Sequence, residues 1–201
     1  MSQPDNTNDP DIMTLIKNYL KVKYNKPGNV FLGLVHRLDR MTGGVMVFAK
    51  TSKAASRLSA QLKDKKLKKH YLCVVNGKPQ LAENQLITYL KKDEKSNTVK
   101  IAPKLEEGAK EAILEYKIVE TKDKFTLLEV DLITGRSHQI RVQMSNNKTP
   151  LFGDQKYNKT AKVGEQIALF AKKIEFEHPV SKEKLTFELE LPDRYPFKLF
   201  K

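Results

Sequence analysis

The chain has 201 residues, and its 37 Lys and Arg outnumber its 24 Asp and Glu to give a formal net charge of +13. This length suits one domain whose core needs no disulfide or metal. The longest apolar stretch, residues 30–35, is far shorter than the roughly 18 residues of a membrane-spanning helix, so no membrane association is expected. Residues 1–11 resemble no signal or transit peptide, and the single cysteine, Cys73, fits a reducing compartment, so we expect a cytoplasmic location.

The positive charge favours nucleic acid as the partner, because an excess of cations attracts polyanions and releases their counterions. The alternative is that the lysines only keep a small protein soluble. The absence of tryptophan argues against an aromatic-rich surface for single strands.

In the N-terminal third, the pattern predicts a helix over residues 9–24, with Asp9 as its cap and Pro10 in its first turn. One face of this helix carries its apolar side chains, namely Ile12, Leu15, Ile16, Tyr19 and Leu20. Two strands are predicted over residues 30–35 and 45–49, with a charged turn between them. Thr51 is the expected N-cap of a second helix that runs to about residue 67.

The remainder of the chain is richer in strands. A strand is predicted over residues 71–75, a hairpin over 112–120 and 125–133, and two further strands over 167–177 and 185–191. Ser137 is expected to open a short helix, whereas residues 81–108 show only short alternating pieces. We therefore expect an α+β fold, with a mixed, largely antiparallel sheet and flanking helices, in a single domain over residues 1–201.

Asp39 is the first candidate for chemistry, because it lies in the charged turn between Arg37 and Arg40. Nearby cations favour the ionised form of a carboxyl group. The alternative is a turn aspartate that only pairs with an arginine.

The second candidate is the segment 132–141, where a strand ends in a glycine turn and a helix begins. Backbone N–H groups and two arginines, Arg136 and Arg141, meet there, and this combination is typical of an anion site. A turn followed by a helix with surface charge is the competing interpretation.

Three motifs resemble those of the RluA-like family of pseudouridine synthases, in the family's order, over about residues 30–157. The run His-Arg-Leu-Asp-Arg-Met-Thr-Gly-Gly-Val-Met-Val-Phe-Ala-Lys at residues 36–50 resembles its catalytic signature. Lys-Lys-His-Tyr-Leu at 68–72 resembles the segment with its active-site tyrosine. Residues 132–141, followed by Pro-Leu-Phe-Gly-Asp at 150–154 and by Tyr157, resemble its second arginine-bearing motif.

The resemblance implies an enzyme that isomerises uridine to pseudouridine in ribosomal or transfer RNA, on a pseudouridine synthase catalytic fold. It implies that Asp39 is the essential aspartate, as nucleophile or as proton abstractor, that Arg141 pairs with it, and that Tyr71 stacks on the flipped base. Ile133 is expected under the base, and Arg37 is expected to enter the RNA stack. The other expected RNA contacts are Arg40, Lys65, Lys66, Lys68, Lys69, Arg136, His138 and Gln139.

The reaction requires no redox step, so we expect neither a metal nor an organic cofactor. The four histidines lack metal-ligand spacing. We expect a monomer whose partner is RNA, and a catalytic domain that lacks the family's N-terminal strand segment and any separate RNA-binding domain. A catalytically impaired RNA-binding module is the alternative function.

Overall fold

The computed structural model describes residues 11–201, which form two compact units. The N-terminal unit comprises residues 11–40, 46–67 and 175–186, and the sheet unit comprises 41–45, 68–174 and 187–201. The expectation of one domain over the whole chain stays a prediction. Among the described helices, none has the length and hydropathy to cross a bilayer.

The N-terminal unit begins with helix α1, Ile12–Lys23. Its cap is Asp11, whose carboxylate accepts the Thr14 N–H at 3.1 Å, while the predicted cap Asp9 and Pro10 lie outside the described residues. On the predicted apolar face, Leu20 is buried, Ile12 and Ile16 are half-buried, and Leu15 and Tyr19 are exposed. Tyr19 is 56% exposed.

The strands around Asp39 are much shorter than predicted. Strand β1 is Gly33–Leu34, β2 is Gly43–Gly44, and β3 is Phe48–Ala49. The predictions of strands over 30–35 and 45–49 were therefore wrong in extent. The β1–β3 ladder contains only two residue pairs, and a strand cannot extend without a partner to receive its hydrogen bonds.

Helix α2, Ser52–Lys63, has the predicted cap, since Thr51 Oγ1 accepts the Ala54 N–H at 3.1 Å. The helix ends before the predicted residue 67. Lys65 adopts a φ of +58°, which lies in the left-handed region and is incompatible with a continuing right-handed helix.

The remaining elements are β4 (Lys68–Asn76), β5 (Glu83–Asp93), β6 (Thr98–Ile101), β7 (Lys110–Lys122), β8 (Phe125–Leu132), α3 (Gln139–Asn146), β9 (Leu169–Glu177), β10 (Lys184–Glu188) and a 3₁₀ turn (Phe197–Phe200). The main sheet has the strand order β10-β9-β4-β8-β7-β5-β6, and β2 pairs in parallel with β9. The α+β, largely antiparallel fold class is confirmed, as is the β7–β8 hairpin. The expectation of only short pieces over 81–108 was wrong, because β5 pairs with both β6 and β7.

The alternation of β4 places Leu72 and Val74 in an apolar core with residues from other parts of the sheet unit, namely Phe125, Leu127, Phe152, Ala168 and Phe197. Cys73 is fully buried, and burial raises the pKa of its thiol well above the ordinary value. On α3, Val142 packs with Leu90, Val99 and Ala112. This contact fixes α3 against the strands β5 to β7 and so determines where Arg141 lies.

The two glycines of β2 differ in the space available for a Cβ atom, and this difference predicts unequal effects of substitution. Gly44 has a φ of +127°, and a Cβ there would lie 2.3 Å from the Ala171 carbonyl oxygen, whereas a Cβ at Gly43 would be 3.8 Å from its nearest neighbour. We expect Gly44→Ala to lower the free energy of unfolding by about 2–3 kcal/mol. The matched Gly43→Ala variant should stay within about 0.5 kcal/mol of the parent in urea unfolding. Equal urea midpoints for the two variants would show that a Cβ at Gly44 is accommodated as easily as one at Gly43.

Candidate active site

The turn that leads into α3 is organised by a side chain of the helix itself. The Gln139 Oε1 accepts hydrogen bonds from the Thr134 hydroxyl at 2.8 Å and from the Arg136 N–H at 3.0 Å. The prediction that Ser137 opens the helix was wrong, since α3 begins at Gln139 and His138 precedes it in the left-handed region, with φ +50°. The Gln139 amide thus bonds to the turn that precedes the helix and not to the N–H groups of the first helical turn.

Gln139 is only 2% exposed, and its Nε2 also donates to the Ile113 carbonyl at 3.0 Å. These bonds show that its amide shapes the turn from inside the protein, and direct contact with RNA stays a prediction. Arg136 is exposed, and its Nε donates to the Glu111 carbonyl at 2.8 Å. The Arg136 N–H, part of the predicted anion site, is thus used internally by Gln139.

Arg141 projects from α3 into a two-point ion pair with Asp154. The Nε lies 2.9 Å from Oδ2, and Nη2 lies 2.7 Å from Oδ1. The Asp154 side chain is 1% exposed and that of Arg141 is 13% exposed. A bidentate pair of this kind fixes the plane and direction of a guanidinium. The sequence assigned no role to Asp154, although the aspartate belongs to a segment already identified by its resemblance.

The Tyr157 ring packs against the Arg141 guanidinium. The guanidinium carbon of Arg141 lies 5.1 Å from the centre of the Tyr157 ring, a cation–π distance. The Tyr157 hydroxyl accepts the Val99 N–H at 2.8 Å and lies 2.7 Å from His138 Nδ1. The network of Arg141, Asp154, Tyr157 and His138 therefore presets the orientation of the arginine.

Strand β4 contributes Tyr71, which is 6% exposed and pairs across the sheet with Val130 of β8. The neighbouring His70 bonds through Nδ1 to the Asp131 carboxylate. Ile133 follows β8 and is half-buried. Two of the three motifs recognised in the sequence thus lie in the sheet unit.

The basic run at the end of α2 divides into exposed and covered lysines. Lys65, Lys66 and Lys68 are exposed, whereas burial lowers the pKa of Lys69 below its ordinary value. A Cβ on Gly135 would lie 3.0 Å from the Lys69 ammonium nitrogen. This approach places the Lys69 cation beside the turn of the third motif.

Residues 36–40 and 46–50 of the first motif lie in the N-terminal unit, whereas residues 41–45 belong to the sheet unit. Asp39 is half-buried in the turn that follows β1, and Arg37 and Arg40 are exposed. The predicted meeting of Asp39 with Arg141 and Tyr71 stays a prediction. Within residues 11–201, no three His, Cys, Asp or Glu side chains gather as ligands of one metal ion would.

Comparison with known proteins gives a family and a fold. Residues 5–146 match the family model described as RNA pseudouridylate synthase. The chain is 36% identical over 184 residues to ribosomal large subunit pseudouridine synthase C of Buchnera aphidicola, a match that covers 86% of this chain and 56% of that protein. It is 36% identical over 173 residues to ribosomal large subunit pseudouridine synthase D of Neisseria meningitidis serogroup A, a match that covers 80% of this chain and 46% of that protein.

The chain therefore spans about half the length of the curated relatives it matches. A solved structure, human RNA pseudouridylate synthase domain containing 4, superposes with a TM-score of 0.81 over 96% of this chain and 84% of that one, at 20% identity. This likeness shows a shared fold. Together with the family match and the relatives at 36% identity, it identifies the chain as a member of the RNA pseudouridylate synthase family.

Proposed function

We propose that this chain isomerises uridine to pseudouridine in RNA. The observation that carries the proposal is the fixed guanidinium of Arg141, held by Asp154 and Tyr157 in the motif that matches the family. Such a group is suited to holding a carboxylate anionic and in one direction. We propose that Arg141 pairs with the carboxylate of Asp39.

The reaction begins with extrusion of the uridine, at a cost of a few kcal/mol. The Tyr71 ring stacks on the flipped base, and this stacking offsets the cost of extrusion by about 1–3 kcal/mol. The bond between N1 and C1′ breaks, the base turns, and a bond between C5 and C1′ forms. C5 loses its hydrogen to water and N1 gains one, so the product is an isomer of the substrate. Asp39 acts either as the nucleophile or as the proton abstractor on the sugar.

The substrate class that we propose is ribosomal or transfer RNA. The curated relatives are named for the large ribosomal subunit, which favours ribosomal RNA. We further propose that the chain works as a monomer in the cytoplasm, and that Arg37, Arg40, Ile133, Arg136 and His138 contact the RNA around the uridine.

Release of tritium from carbon 5 tests the activity. Bulk ribosomal and transfer RNA, each labelled with tritium at uridine C5, are incubated separately with the chain. We expect release of the label to water from one pool, because C5 loses its hydrogen in the isomerisation. RNA labelled at uridine C6 is the matched control and should release none. RNA binding without release from either pool would contradict the proposal and support the alternative of a catalytically impaired RNA-binding module.

The exposed lysines after α2 are expected to bind phosphates. Replacing Lys65, Lys66 and Lys68 with alanine should weaken RNA binding and reduce the slope of log K against log salt by about 0.7 for each phosphate that is no longer neutralised. The control is Lys91→Ala, since Lys91 pairs with Glu106 at 3.0 Å. Titration at several salt concentrations measures both slopes. An unchanged slope would mean that these lysines are only solvated surface.

A further inference from the structure

The N-terminal unit carries a cluster of exposed rings and lysines, formed by Tyr19, Lys23, Tyr24 and Lys50, which we call the Tyr–Lys patch. The Lys23 ammonium lies 5.2 Å from the centre of the Tyr19 ring and 5.9 Å from that of Tyr24, and the Lys50 ammonium lies 5.0 Å from that of Tyr24. Tyr19 is 56% and Tyr24 is 48% exposed. Both rings are therefore accessible to a ligand.

Hydrogen bonds also join the rings to the lysines. Lys23 Nζ donates to the Tyr19 hydroxyl at 2.8 Å, and Lys50 Nζ donates to that of Tyr24 at 3.4 Å. The bond from Lys23 raises the pKa of that lysine, so its ammonium stays charged at neutral pH. Because Lys50 is 26 positions from Tyr24 in the chain, the fold assembles a patch that the sequence pattern did not reveal.

The surrounding sequence is strongly cationic. Between Ile12 and Lys63 the chain has ten Lys and Arg residues and a single acidic residue, Asp39. An exposed surface with a net positive charge favours a polyanion as its partner.

We propose that the Tyr–Lys patch is a second RNA-binding surface, which takes unpaired nucleotides of the substrate RNA outside the catalytic motifs. A base stacks on an exposed tyrosine ring, and the ammonium groups of Lys23 and Lys50 bind the adjacent phosphates. Aromatic rings interleaved with cations are the usual means by which proteins bind single strands without reading their sequence. This inference rests on the proposed function in one respect, namely that the substrate is RNA.

The positions of the lysines favour RNA over a lipid surface. A helix that lies on a membrane separates its apolar face from its cationic face. Here the Lys23 and Lys50 ammonium groups bond to the tyrosine hydroxyls and lie 5.2 and 5.0 Å from the ring centres, so rings and cations share one surface. A nucleotide, with a base and a phosphate a few ångströms apart, matches this combination.

Binding of a fluorescent, unstructured oligoribonucleotide to the full chain tests the proposal. We expect Tyr24→Leu and Tyr19→Leu each to weaken binding by about tenfold, and Tyr24→Phe to stay within about twofold because the ring is retained. Val22→Ala is the matched control on α1, since Val22 is 82% exposed and has no ring.

Equal affinities for the parent and both leucine variants would overturn the proposal. Loss of affinity in Tyr24→Phe as severe as in Tyr24→Leu would also overturn it, because stacking needs only the ring. Leucine variants that lose binding to anionic phospholipid vesicles but retain RNA affinity would assign the patch to a membrane instead. Tritium release, measured on the same samples, separates the two claims. A parent without release whose leucine variants lose RNA affinity would contradict the isomerase and support the patch.

Discussion

Asp39→Asn should abolish tritium release, with a single-turnover rate at least about 10³-fold below that of the parent, as is typical for loss of an essential catalytic group. The amide has nearly the same shape as the carboxylate, but it carries no charge and cannot act as a nucleophile or a base at neutral pH. Asp39 is only half-buried in its turn, so we expect little change in the melting temperature or in RNA affinity.

The matched control is Asp64→Asn, because Asp64 is an exposed carboxylate that follows α2 in the same unit. This variant should keep the rate of the parent within about twofold, as expected for a surface substitution. A rate for Asp39→Asn that is close to the parent's would remove Asp39 from the chemistry and leave the isomerase mechanism without its carboxylate.

Removal of the Arg141 guanidinium should affect both stability and turnover. Arg141→Ala leaves the Asp154 carboxylate, which is 1% exposed, without its cation. Loss of one partner of a buried pair costs about 3–5 kcal/mol of unfolding free energy. We also expect turnover to be abolished, because no fixed cation then remains to pair with the Asp39 carboxylate.

A double variant separates these two effects. Arg141→Met with Asp154→Asn removes both charges, yet keeps an oxygen for the N–H groups of Lys156 and Tyr157 that now bond Asp154. We expect urea unfolding to show that most of the stability returns, because no buried charge is left uncompensated. Tritium release should stay absent. If release returned with stability, Arg141 would be structural and not part of the site.

The elements that were predicted correctly depend on local chemistry. Thr51 caps α2 through a bond that spans three residues. The β7–β8 hairpin was predicted from two β-prone runs around a short turn, in the second of which Glu129 and Asp131 alternate with Leu128, Val130 and Leu132. Tyr71 was placed on a strand because residues 71–75 are apolar and β-prone, and that strand is β4. In each case the pattern that supports the prediction lies within a few consecutive residues.

The errors arise where distant parts of the chain decide the structure. Strand β5 was missed because its apolar and polar residues do not alternate regularly, while its hydrogen bonds to β7 hold it in the sheet. The apolar face of α1 was identified, but the spacing of apolar residues does not show whether other elements pack against that face. Asp154 lies 13 positions beyond Arg141, and only the fold reveals that the two bond.

If this chain is a pseudouridine synthase, chromatography must detect pseudouridine in RNA that it has modified. Ribosomal and transfer RNA transcripts are incubated with the purified chain, digested to nucleosides and separated. We expect a pseudouridine peak with the parent and with Asp64→Asn, and none with Asp39→Asn. RNA that binds the parent but yields only uridine after prolonged incubation would rule out the proposed isomerisation.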